Sequence, residues 1–91
     1  MISSQQIRAA RAMLRMSVQD LSMLSGVGVA TIKRLEAVDG LPPAHARTLE
    51  SLRACLERAG IKFVGTIDNA PGVCLMNARS INVQEGNRGA S

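Results

Sequence analysis

"SVQDLSMLSGVGVATIKRLE", residues 17–36, decides how this chain is read. It holds two short helical patterns with a glycine between them. Ser17 is a favoured N-cap residue, and Asp20 in the next turn suits the positive end of a helix dipole. Leu21 and Leu24 are expected to face inward. Gly26 closes this helix, because glycine enters the left-handed backbone region without a Cβ penalty. Val27 reads as an apolar residue buried in the turn, and Gly28 as the cap of the following helix. Ile32 and Leu35, at i and i+3, turn that helix's apolar side inward. The helix should end near Glu36 to Val38, since Asp39-Gly40 is a turn signal. Its opposite side then offers Val29, Ala30, Lys33 and Arg34.

Two helices joined by a three- to four-residue turn with glycine form the helix-turn-helix pattern. The second helix must cross the first steeply, so the chain has to bend sharply at low steric cost. An α-helix freed on one face fits the DNA major groove, where base edges are distinguishable. Helix N-termini and the polar groups around them suit phosphates.

Working outward, Ser3 or Ser4 can cap a first helix that runs to about Arg15, with Ile7, Ala10 and Leu14 as its apolar stripe. Arg8 and Arg15 lie away from that stripe and read as solvated residues or peripheral phosphate contacts. Pro42-Pro43 can open a further helix at its first position. From there Leu49, Leu52, Leu56 and Ala59 form a core-facing stripe that ends at Gly60. Thr48 leaves open whether this segment is one helix or two. Beyond Gly60 the pattern changes: "IKFVGTI" (61–67) and "GVCLM" (72–76) are rich in strand formers, and "DNAPG" (68–72) between them is dense in turn formers, so a β-hairpin is expected. From Ala78 onward the chain is polar and reads as a disordered tail.

Ninety-one residues make one domain with a thin core, burying only about 60–65% of the unfolded surface. Such a domain calls for a supplement. The cysteines, Cys55 and Cys74, sit among apolar residues and read as reduced core residues; no CxxC pair or Cys/His cluster suggests a metal. Self-association is the remaining supplement. Lys and Arg outnumber acids 11 to 7, and nine of the 11 precede residue 63. That balance favours an acidic partner such as nucleic acid. With one Phe and no Trp or Tyr, base-stacking modules are disfavoured. His45 follows two prolines and reads as a surface residue, while Met13, Met16, Met23 and Met76 read as core or interface filler. No catalytic pairing, phosphate loop or acidic cluster suggests an enzyme, and no cofactor is expected. No long apolar run or signal peptide is seen, so a cytoplasmic protein is expected, nucleoid-associated when bound to DNA.

"IRAARAMLRMSVQDLSMLSGVGVATIKRLEAVDG" resembles the phage Cro/repressor-type helix-turn-helix family, often called XRE. The matching features are "R..R" in the first helix, Ser17 with Leu21, "SGV" at the turn and "TIKRLE" closing the third helix. The resemblance covers about residues 5–60. It implies a mostly α, lambda-repressor-like bundle of four to five helices, here followed by a short C-terminal hairpin, as in some small bacterial regulators. It also implies that the helix around residues 28–37 reads bases through Val29, Ala30, Lys33 and Arg34. Ser17, Gln19, Gly28 and Thr31 would meet phosphates, with Arg47 as a further phosphate contact. Arg11 and Glu36 would form a structural ion pair. Val18 stands where many members carry Gln, and Val29 and Ala30 where polar readers are common.

The resulting expectation is a DNA-binding domain over residues 1–60, a hairpin over 61–77 that serves dimerisation, and a tail over 78–91. An isolated hairpin is marginal in water and leaves open edges, so it either folds back or pairs with another chain. The second is expected, through Ile61, Phe63, Val64, Ile67, Val73 and Leu75. A homodimer would present two reading helices to double-stranded DNA with an inverted repeat, as a repressor or autoregulator does. With no room for a sensing domain, a regulatory protein partner could control it. The rival expectation is a protein-binding module, an antitoxin or antiactivator, on the same fold; an architectural minor-groove binder would need an apolar wedge that is not evident.

Overall fold

The computed structural model describes residues 2–76, which form four helices followed by one antiparallel hairpin. The segment read as a tail, residues 78–91, lies outside the described residues.

Helix α1 spans Ser4–Met13. Its start is a reciprocal cap: the Gln6 N–H donates to Ser3 Oγ (3.1 Å), and the Ser3 N–H donates to Gln6 Oε1 (2.8 Å). The helix stops before Arg15, which takes a left-handed φ of 55° and so bends the chain early toward the next cap. Helix α2, Val18–Ser25, starts with the same device, Ser17 and Asp20 exchanging backbone-to-side-chain bonds at 3.0 and 3.1 Å. Gly26 ends it at φ 80°, and Gly28 leads into α3, Val29–Glu36. Ile32 and Leu35 are fully buried, and Val27 packs against the core.

Leu24 departs from the expected inward position: it is 60% exposed. The inward row of α2 is Val18, Leu21 and Ser25, three and four residues apart, and at 100° per residue Leu24 falls beyond its edge.

Helix α4 spans Ala46–Arg58 without a break at Thr48. It does not begin at Pro42-Pro43. Pro43 disfavours helical backbone at Pro42, the Ala44 N–H closes a turn on the Pro42 carbonyl, and His45 in extended conformation becomes the N-cap. Leu49, Leu52 and Leu56 of the expected stripe, joined by Cys55, are buried against Ile7, Ala10, Leu21, Ile32 and Leu35; Ala59, expected in the stripe, is only half-buried and serves as the C-cap. Burial raises the Cys55 thiol pKa above its ordinary value, a push that nearby Arg58 partly opposes. Cys74 corrects the expectation of two core cysteines, because it is exposed on the outer face of the hairpin. Met13, Met23 and Met76 are exposed as well, and only Met16 packs against the core among the methionines of the described residues.

Strands β1, Ile61–Thr66, and β2, Asn69–Leu75, pair Ile61 with Leu75, Phe63 with Val73 and Thr66 with Asn69. The connection is therefore just Ile67-Asp68, tighter than the expected 68–72 turn. Ala70 and Pro71 together oppose Gly65 in a bulge, which accommodates the missing proline N–H. Gly65 has a φ of 75°, and a Cβ there would lie 2.1 Å from the Ala70 carbonyl oxygen. At Gly26 the same Cβ would meet nothing within 4 Å. In urea denaturation, Gly26→Ala should cost only the backbone term of about 1–2 kcal/mol. Gly65→Ala should cost more, at least about 2 kcal/mol beyond that term, because backbone must move. Equal losses would mean that the bulge yields freely.

The hairpin folds back on the helices. Ile61 is buried, and Phe63, Val73 and Leu75 pack against the core. Ile61 is thus withdrawn from its expected use in a dimer interface, and Phe63, Val73 and Leu75, half-buried, spend part of their surface on the chain's own helices. The thin helical core attracts them, and alternation places all four on one face of the hairpin. Gln6 seals this seam: its amide nitrogen donates to the carbonyls of both Val64 and Gly72, each at 2.9 Å.

Candidate nucleic-acid interface

The face opposite Ile32 and Leu35 on α3 follows helical spacing: Ala30, Lys33, Arg34 and Ala37 recur at i, i+3, i+4 and i+7, and all are exposed. Val29 and Thr31 are half-buried at the flanks. Among the described residues, Lys33 and Arg34 engage no carboxylate. The acids are taken elsewhere. Asp39 pairs with Arg8 at 3.1 Å, Glu36 with Arg11 at 2.8 Å, and Glu50 and Glu57 flank Arg53 on the outside of α4. The uncompensated charge of this region therefore lies on Lys33 and Arg34.

Helix α3 is held from its C-terminal end by α1. The Ser4 hydroxyl donates to the Leu35 carbonyl at 2.7 Å. Arg8 donates to the carbonyls of Glu36 and Val38, the latter at 3.0 Å. These are helix-end carbonyls that would otherwise need water, and a guanidinium suits the negative end of the dipole. The sequence alone suggests a solvated residue or peripheral phosphate contact at Arg8. The side chain instead caps the candidate reading helix, and no local pattern could announce a partner about 30 residues away. Arg11 adds a bidentate grip: Nε and a terminal nitrogen donate to the two Glu36 carboxylate oxygens at 3.0 and 2.8 Å, and the third nitrogen donates to the Met16 carbonyl at 3.0 Å. The bonds it donates to Glu36 raise the Arg11 pKa against the opposing effect of partial burial. One side chain thus ties α1, the α1–α2 loop and the end of α3.

Thr31 and Arg34 share a shallow groove of about 350 Å³ with Pro43, Ala44, His45 and Thr48, at the N-terminus of α4. His45 makes no side-chain cap, so the first amides of α4 face this region without one. His45 and Thr48 were not among the expected contacts; the N-cap position after two prolines was the available signal. Gly28 is exposed at the start of α3 and likewise supplies no side-chain cap. Ser17 and Gln19 are exposed at the start of α2, but the Ser17 oxygen already accepts the Asp20 N–H, and the Asp20 carboxylate lies beside it. That negative charge weakens the site for a phosphate. Arg47 stands apart from the Arg34 groove. It lines a depression with Ser25, Glu50, Ser51, Ala54 and Arg58, between α2 and α4.

Among the described residues, no group of three or more His, Cys, Asp or Glu could hold a metal ion, and no helix is long and apolar enough to cross a membrane. No family model matches the chain, and its sequence finds no match among curated proteins.

Proposed function

We propose that this chain is a sequence-specific DNA-binding regulator of the helix-turn-helix type, with α2 and α3 as the paired helices and α3 in the major groove. The observation that carries the reading is an exposed, uncompensated Lys33–Arg34 pair on a helix whose other face and C-terminal end are clamped. A clamped helix presents its backbone without a further ordering cost, so only the Lys33 and Arg34 rotamers remain to be fixed on binding, which favours readout over mere attraction. Ala30 can meet a thymine methyl, Lys33 and Arg34 can reach guanine, and the groove of Thr31, His45 and Thr48 at the α4 N-terminus suits a phosphate.

A second copy would pair through backbone, not through the buried face of the hairpin. Met76 donates to the Gly60 carbonyl at 2.6 Å, which sets the ladder so that the N–H and C=O groups of Ile61, Phe63, Val73 and Leu75 point to the outer edges. Such edges extend a sheet across a two-fold axis and match an inverted repeat. Two-fold binding to an inverted repeat is the arrangement of a repressor or autoregulator.

Selection of bound sites from random duplexes, followed by anisotropy titration, tests the proposal. Affinity should fall steeply with salt. Arg34→Ala should weaken the selected site by about 1–3 kcal/mol and relax preference at one base pair. Loss spread evenly over all sequences, with a shallower salt slope, would make Arg34 a phosphate contact instead. No salt-dependent binding to any duplex would refute the proposal. It would favour the antitoxin or antiactivator reading, which the scarcity of polar readers at Val29 and Ala30 supports.

A further inference from the structure

We infer that the surface between the end of α2 and the outer side of α4 is a docking site for an acidic, apolar-faced helix of another protein. Arg47, Ser51, Ala54 and Arg58 recur at i, i+4, i+7 and i+11, so they form one stripe along α4. Two depressions of about 370 and 260 Å³ run along this stripe and share Arg58 as a wall; the second is completed by Leu24, Cys55 and Ala59. The floor is made of small residues, Ser51, Ala54 and Ala59, which allow close approach of a second backbone. Leu24 is exposed at its edge, and Met23 beside it is 83% exposed. An apolar pair left in water next to a shallow, small-residue trough is the complement of an apolar helix face.

Charge selects the occupant. Among the described residues Arg47 and Arg58 engage no carboxylate, and they stand about 16 Å apart at the rise of an α-helix. Glu50, the acid bordering the trough, is held by Arg53. A two-fold copy of this chain laid on the same surface would set arginine against arginine. A helix with carboxylates about three turns apart, and leucine-like residues between, meets both arginines and covers Leu24. This reading does not depend on DNA binding by α3.

The probe is a synthetic helical peptide of about 15 residues with Glu near each end and Leu on the same face between them. It is titrated into the full, nitrogen-15-labelled chain, with a Glu-to-Lys peptide as control. Amide shifts should cluster at Leu24, Ser25, Ser51, Ala54 and Arg58. The Lys peptide should bind at least about fivefold more weakly. Leu24→Asp should lose about tenfold in affinity for the acidic peptide. Arg58→Glu should reverse the preference between the two peptides. Both side chains are exposed, so folding of both variants is expected alongside, with only a small fall in melting temperature where Arg58→Glu loses a favourable charge at the C-terminal end of α4. Absent or scattered shifts, or equal binding of both peptides, would overturn the inference. So would a fall in affinity for selected DNA on Arg58→Glu, which would assign the surface to phosphates. Conversion of a dimer to a monomer by Leu24→Asp in sedimentation would assign it to a second copy and likewise overturn the inference.

Discussion

Gln6→Glu should lower the unfolding free energy by about 3 kcal/mol or more at neutral pH, although only an amide nitrogen becomes an oxygen. Gln6 is 3% exposed and spends each end of its amide on a separate task. Its oxygen caps the Ser3 N–H, and its nitrogen donates to the Val64 and Gly72 carbonyls, opposite partners in the two strands. Glutamate keeps the first task and even improves it, since an anion suits a helix N-terminus. It reverses the second, placing a carboxylate oxygen against two carbonyl oxygens in a buried seam. If capping were the whole role, the variant would be as stable as the parent or more so. The opposite sign is expected, with a melting point lower by about 12 °C or more for a domain of this size. The deficit should shrink as pH falls from neutral toward 4. The trapped carboxyl binds a proton more readily when folded than when unfolded, so acid stabilises the variant relative to its parent. Thermal melts across that range supply the check, and a deficit that does not change with pH would count against the account.

The second large effect is expected at Glu36. Glu36→Ala should destabilise the chain by about 2–3 kcal/mol in chemical denaturation, below the 3–5 of a fully buried pair because Arg11 is a quarter exposed. Glu36 itself is only 9% exposed, and its loss strips two donors of Arg11 of their partner. Arg11→Met combined with Glu36→Ala should lose less than the sum of the two single changes, since the stranded charge is gone. Under conditions where the single variant is still folded, hydrogen exchange should accelerate in α3 before it does in α4. A loss below about 0.5 kcal/mol would place the pair with exposed ion pairs and remove its positioning role.

Much of the helical half follows from short-range chemistry. Ser3 and Ser17 reach their cap bonds within three residues, Gly26 must take a positive φ, and Ile32 with Leu35 share a helix face by spacing alone. The Arg11–Glu36 pair was different in kind: it came from resemblance, since nothing local links residues 25 apart. Lys33 and Arg34 are exposed on the side of α3 that spacing assigns to solvent, whereas the surroundings of that pair are not legible in the sequence. His45 and Thr48 joined Arg34 only because the loop at Pro42 and Pro43 delays α4, while Arg47 went to another surface. The hairpin's existence was readable from its β-branched residues. Its tight Ile67-Asp68 connection and the bulge opposite Gly65 were not, because register depends on which face finds a core to cover.

Local periodicity, capping and turn chemistry were enough to specify three helices, a further helical segment ending at Gly60 and two strands, and which side of α3 is apolar; that the last segment is one helix was decided only by the fold. Folding in three dimensions alone assigned Arg8 to the end of α3, Gln6 to both strands, Leu24 to solvent and the hairpin to its own helices. The division has a physical cause. A backbone conformation is chosen by neighbours a few residues away, whereas a long polar side chain is committed only when a distant carbonyl or carboxylate is brought within hydrogen-bond reach.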